Sequence, residues 1–216
     1  MNSLPLSGIY NQFPFSLMKK LILSLGLLAG VSVAAQAQTG VRFGLKAGAS
    51  LTTFTGKDVD GASNKFGFNG GVVANFGIND MFSIQPEVLY SMKGAKVDGS
   101  DARVNLNYID VPILAKIATG ETGLFFELGP QVGFLASANA KSGSASQDVK
   151  DTFKSVDFGY AAGVGFQVSS SAMVGLRYNG GFTNVPKEIN IGGTSVESKA
   201  KNSAFQLYVG YMFGGK

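Results

Sequence analysis

Along the last stretch of the chain, Phe205, Leu207, Val209, Tyr211 and Phe213 fall on one parity. Ala204, Gln206, Tyr208, Gly210 and Met212 fall on the other. The same beat runs through Phe82, Ile84, Pro86, Val88 and Tyr90 against Ser83, Gln85, Glu87 and Ser91. It recurs in Val174, Leu176, Tyr178 and Phe182 against Gly175, Arg177, Asn179 and Gly181. Successive side chains of a strand point to opposite faces, so a period of two marks strands. No helical period persists after Gln38. Eight strands are predicted, near 41–53, 65–77, 82–93, 104–118, 124–137, 156–168, 173–183 and 202–213. One face of each is bulky and apolar; the other is small, polar or charged.

Most of these runs reach the about 9–11 residues that a tilted strand needs to cross a bilayer. Their connections alternate. Short ones fall at 78–80, 119–123 and 169–172, and long polar ones near 54–64, 94–103, 138–155 and 184–201. Long loops at one end and tight turns at the other are the plan of an up-and-down outer-membrane barrel. With eight strands, both ends of the barrel domain lie on the side of the short turns.

A soluble barrel hides its apolar face, and a membrane barrel turns it outward. Three features favour the outward arrangement. An eight-stranded interior has room only for side chains of limited bulk. The polar face also carries Gly44, Gly48, Gly67, Gly71, Gly129, Gly133, Gly159, Gly163, Gly165, Gly175 and Gly181. Glycine weakens an exposed strand surface but makes space in a crowded lumen. Aromatic residues toward strand ends suit interfacial girdles: Phe43, Phe76, Phe82 and Phe166 at one level, Tyr90, Phe158 and Phe182 at the other. The expected fold is all-β: an eight-stranded antiparallel transmembrane β-barrel with a polar, Gly-rich, charge-paired lumen. A soluble extracytoplasmic ligand-binding barrel is the alternative with the faces reversed.

Parity assigns Arg42, Lys46, Lys116 and Arg177 to the lumen, with Glu87, Asp110, Glu127 and Asp157. Four charges meet four. Hairpin register sets Lys116 opposite Glu127, Glu87 opposite Gly71, and Gly71 beside Lys46. Arg177 is expected to face Gly163 and Gly165 on one side and Tyr208 on the other. Buried charges persist only when paired, so these eight are expected to form a charge-compensated plug. Solvated charges lining a narrow, porin-like pore for ions or small solutes are the alternative. Pro86, Pro112 and Pro130 fall inside predicted strands, at one level on three neighbours, and a closed barrel has no edge strand to accommodate them. A bulge or weakened ladder is expected there.

Residues 18–37 read MKKLILSLGLLAGVSVAAQA. Lys19 and Lys20, the apolar run 21–33 and the Ala35-Gln36-Ala37 site have the layout of a secretory signal peptide. The expected start is Met18, with 1–17 upstream of it and cleavage after Ala37, leaving 38–216 as the barrel domain. Of the 216 residues, 18 are basic and 14 acidic. Removing 1–37 leaves 16 basic and 14 acidic residues, and no run of Lys or Arg reads as a nucleic-acid surface.

The stretches FSIQPEVLYSMKG (82–94), YIDVPILAKI (108–117), FFELGPQVGF (125–134) and VGLRYNGGFTNV (174–185) resemble the small porin-like outer-membrane β-barrel family. That family is related in shape to the eight-stranded OmpA and OmpX barrels. The resemblance spans about 40–213, and its most specific parts contain two of the awkward prolines, which implies that they belong to the barrel. It implies fold and an outer-membrane location, and it carries over no catalytic residue. One departure lies at the end of the chain. Such barrels commonly finish on an aromatic residue read by the outer-membrane assembly machinery, whereas Phe213 is followed by Gly214-Gly215-Lys216. Recognition is expected through Phe213.

The chain has neither Cys nor His. That removes disulfides, thiolate metal sites and the Ser-His-Asp apparatus, so no catalytic residue, metal or cofactor is expected. Asp58-Val59-Asp60-Gly61 lacks the later ligands of a calcium loop, and Asp98 and Asp101 likewise read as loop residues. Ser144, Ser146 and their neighbours form a small, polar tract expected to be mobile, whose mixed Lys and Asp content identifies no ligand. The function expected is structural or surface-interacting: a monomeric barrel held in outer-membrane lipid, its loops outside.

Overall fold

The computed structural model describes residues 40–191 and 194–213. The expected leader at 1–37, and residues 214–216 after Phe213, lie outside them. Eight long strands run antiparallel: β1 (Val41–Gly56), β2 (Lys65–Gly77), β3 (Phe82–Val97), β4 (Arg103–Ala118), β5 (Leu124–Ser142), β6 (Val156–Gln167), β7 (Ala172–Gly181) and β8 (Ala200–Met212). Each pairs with its chain neighbours, and β8 returns to β1 from Gly44↔Met212 to Gly56↔Ala200. The sheet therefore closes. Each long strand is paired on both of its edges, the arrangement a strand needs in hydrocarbon.

The faces are as expected. Phe205, Leu207, Val209 and Tyr211 are 65%, 55%, 60% and 53% exposed, whereas Arg177 and Glu127 are each 2% exposed. Apolar residues outside and charges inside exclude the soluble barrel. Lumen glycines face the bulkiest inward side chains. A Cβ on Gly175 would lie 2.5 Å from the Tyr208 ring, and one on Gly163 would lie 2.8 Å from Glu127 Oε1.

The proline row interrupts the ladder without shifting it. Between β3 and β4 the pairing lapses from Pro86↔Ile113 to Leu89↔Asp110, and between β4 and β5 from Pro112↔Gln131 to Ala115↔Leu128. Register resumes unchanged on both sides. On its other flank Pro130 stays paired with Tyr160 of β6. The register shift in this region lies higher, between Asn107 and Tyr108 opposite 135–137.

The loop ends differ from expectation. β3 and β4 continue to Val97 and Arg103, so the second long loop shrinks to 98–102. β5 runs to Ser142, and Ala145–Asp148 folds back onto it, ordering part of the expected mobile tract. Above the apolar belt both faces of a strand meet polar surroundings, so alternation fades while the ladder persists. The third and fourth loops are tied together. Phe153 bridges Pro186, Lys154 N–H donates to Val185 O at 2.8 Å, and Lys154 Nζ lies 2.9 Å from Glu197. Asp58 of the first loop accepts from Lys199 N–H at 2.8 Å.

Candidate functional site

The lumen is stacked in layers. At the short-turn end Val73, Phe125, Met173, Tyr208 and Met212 form an apolar cluster. At the long-loop end Leu106, Tyr108, Leu135, Ala138 and the loop residue Val185 form another, with Phe54, Val149 and Phe153 packed on it. The lumen is polar and charge-paired as expected, with apolar clusters toward both of its ends. Their residues share the inward parity with the charges, and a parity argument that follows charge and glycine overlooks them.

One ionic group draws on four alternate strands: Lys46 of β1, Glu87 of β3, Glu127 of β5 and Arg177 of β7. Arg177 crosses the barrel. Its Nη1 and Nη2 donate to the two oxygens of Glu87 at 2.7 and 2.9 Å, and its Nε donates to Glu127 Oε1 at 2.7 Å. Glu87 Oε1 also accepts from Gln85 Nε2 at 2.8 Å and from Lys46 Nζ at 3.3 Å. Three of these four donors converge on Oε1 and one reaches Oε2. The Lys46 ammonium lies 3.4 Å from the centroid of the Tyr208 ring, whose face attracts cations. Removal of such ions from water is compensated only by geometry of this quality.

A second group lies toward the long loops. Lys93 Nζ is 2.9 Å from Asp110 and 3.9 Å from Asp157. Asn202 Nδ2 donates to Asp157 Oδ2 at 2.8 Å and to Tyr108 Oη at 3.3 Å. Lys93 was not among the expected eight, although the parity of Glu87 and Ser91 lands on it. It sits at the last position of the predicted run, before a polar stretch that reads as loop. Lys65 is also buried, its Nζ donating to the carbonyl of Lys93 at 3.1 Å. Among the described residues, the buried ions are therefore five cations and four carboxylates.

Two expected members stand outside the pairing. Arg42 lies at the short-turn mouth and donates to the Ser170 carbonyl, with no carboxylate partner among the described residues. Lys116 is opposite Glu127 in register, as read, but forms no ion pair with it. Its Nζ turns to the Phe125 ring, 3.6 Å from the centroid, and to Met173 Sδ at 3.6 Å. Arg177 Nε holds Glu127 instead.

Two registers also need correction. Glu87 opposes Val73, not Gly71, because the turn centres on Asp80 rather than Asn79. Asn79 Oδ1 accepts from Met81 N–H and Phe82 N–H at 3.0 and 2.8 Å, which pulls the turn one residue along. A one-residue move of the centre changes partners by two, so every face is preserved. Arg177 opposes Gly163 and Gln206; Tyr208 is a diagonal neighbour, its ring centroid 5.2 Å from the guanidinium carbon.

Residues 35–186 match the family described as outer membrane protein beta-barrel domain. The chain belongs to this family. Among solved structures it is similar to Neisserial surface protein A at 18% identity and a TM-score of 0.52, over 79% of this chain and 97% of that one. Similarity extends to Ail of Yersinia pestis at 17% identity, a TM-score of 0.48, and 82% and 100% coverage. OprG from Pseudomonas aeruginosa gives 15% identity, a TM-score of 0.46, and 82% and 98% coverage. No curated protein matches. At such identities the first likeness carries the fold of this outer-membrane barrel and nothing finer.

Proposed function

We propose that this outer-membrane barrel is a non-catalytic surface protein whose lumen is sealed by its own ion network. The carrying observation is the Arg177 guanidinium, which spans the lumen to Glu87 and Glu127. Beside Lys93, Gln131, Asp157 and Asn202 the free space is about 10 Å³, room for about one water. The apolar layers at both ends support the same reading. On this reading the protein is exported by a cleaved leader, inserted by the assembly machinery and held as a monomer in outer-membrane lipid. Its long loops face outward and are the surface for partners.

The absence of His and Cys from the sequence supports a non-catalytic role, since the usual nucleophile–base pairs cannot be assembled. Planar-bilayer recording of the folded protein tests the seal. No steady current is expected. Sustained single-channel steps from folded wild-type protein would establish a narrow pore instead.

A further inference from the structure

On the outer wall, above the apolar belt, three neighbouring strands place cations side by side. Lys96 of β3 is the direct cross-strand partner of Arg103 of β4, which is the partner of Lys141 of β5. Lys96 and Arg103 share the outward parity of the exposed belt residues Tyr90 and Ile109, and the register shift opposite Asn107 and Tyr108 carries Lys141, the partner of Arg103, onto the same face as Phe134 lower on its strand. Like charges directly opposite repel. Among the described residues, none of the three has a carboxylate partner; the ion pairs formed lie elsewhere. The row lines an open pocket of about 420 Å³ with Lys65, Asn105, Asn107 and Asn139, and with no acidic residue. Its remaining wall is apolar: Met92 and Phe66, the latter 70% exposed.

We propose that this pocket holds the phosphomonoester group of an acylated lipid in the leaflet at the long-loop end. The charge asks for an anion, and the count of cations asks for more than one negative charge. A phosphodiester headgroup brings a single charge, whereas a phosphomonoester brings about 1.5 to 2 near neutrality. Phe66 and Met92 then lie where acyl chains leave the headgroup for the belt, a contact of no use to a soluble anion. The Asn105 and Asn139 amides supply neutral donors between the cations, while Asn107 Nδ2 is held by Ser137 Oγ at 2.8 Å. The proposal rests on the membrane setting read above but not on the seal: bilayer currents could overturn the seal while lipid capture stands.

The test is native mass spectrometry of the folded, full-length barrel released from detergent. Diphosphoryl lipid A, monophosphoryl lipid A and phosphatidylglycerol are the probes. Wild type is expected to retain diphosphoryl lipid A most strongly and phosphatidylglycerol least. The triple variant K96Q/R103Q/K141Q is expected to lose diphosphoryl lipid A by at least about tenfold, and R103Q alone by about threefold, the loss of part of a charge-assisted contact. Both point outward and away from the core, and an unchanged gel shift on heating confirms that each folds. Equal retention by wild type and both variants overturns the proposal. Displacement of the lipid by inositol hexakisphosphate, a polyanion without acyl chains, at equimolar amounts also overturns it, in favour of a soluble anion.

Discussion

Replacing Arg177 by Met removes a long side chain of similar reach together with three charge-assisted hydrogen bonds. The losses fall unevenly. Glu87 keeps Gln85 at 2.8 Å and Lys46 at 3.3 Å. Glu127 keeps no donor, because Arg177 is its sole hydrogen-bond partner among the described residues. One buried carboxylate thus loses its hydrogen-bonded counter-ion, and breaking a buried pair in this way costs about 3–5 kcal/mol. Adding Glu127→Gln removes the stranded charge while Lys46 still balances Glu87. The double variant is expected to recover about 2 kcal/mol, the penalty of an unsatisfied buried group. The chain has no Trp, so guanidinium unfolding in lipid vesicles is followed by far-ultraviolet circular dichroism and by the heat-dependent gel shift. A lumen full of solvent would screen all these ions, and the single change would then cost under about 1 kcal/mol. That result, or no recovery in the double variant, would refute the paired-ion reasoning.

Further outcomes follow from the wall, the packing and the loops. Gly175→Ala drives a methyl to 2.5 Å from the Tyr208 ring and is expected to destabilise by about 1–3 kcal/mol; Tyr208→Leu in the same chain should restore most of it in the same unfolding assay. Leu207→Arg puts a charge on the lipid face and is expected to cost about 2–4 kcal/mol near the midplane, measured by vesicle unfolding, with little effect if that face is not in lipid. At the loops, the hydrogen bond from Lys154 holds the Glu197 carboxyl below its ordinary value. A depressed folded value means that the clamp stabilises the loops above the ordinary carboxylate range and is lost as pH falls through the folded value. Proteolysis of 184–199 should therefore accelerate on acidification, and Glu197→Gln should remove that pH dependence.

Parity along the strands disclosed most of this architecture, because burial on one face of a closed sheet forces a strict alternation. It located Glu87, Asp110, Glu127, Asp157, Lys46, Lys116 and Arg177 in the lumen. It could not choose partners. Lys116 and Glu127 are opposite in register, yet Phe125 and Met173 take the lysine and Arg177 takes the carboxylate, and Met173 and Arg177 come from a strand distant in the chain. Lys93 escaped because the polar stretch after it looked like a loop, although the ladder continues to Lys96↔Arg103. The interruption at Pro86 and Pro112 was legible in kind, since proline lacks the ladder's N–H, but its extent depends on two seams at once. The loop residues of the upper apolar cluster were hidden for a different reason. Val185 and Phe153 come from loops, where period two carries no information.

The four members of the main ion group come from every second strand, and each therefore belongs to a different hairpin. No hairpin carries its own counter-ion for this centre. A chain shortened before β7 would retain two carboxylates and one lysine with nothing to span them, so partial cylinders gain little from entering lipid. Completion is rewarded only when the whole circumference is present, which makes the central guanidinium a built-in check that the chain arrived intact.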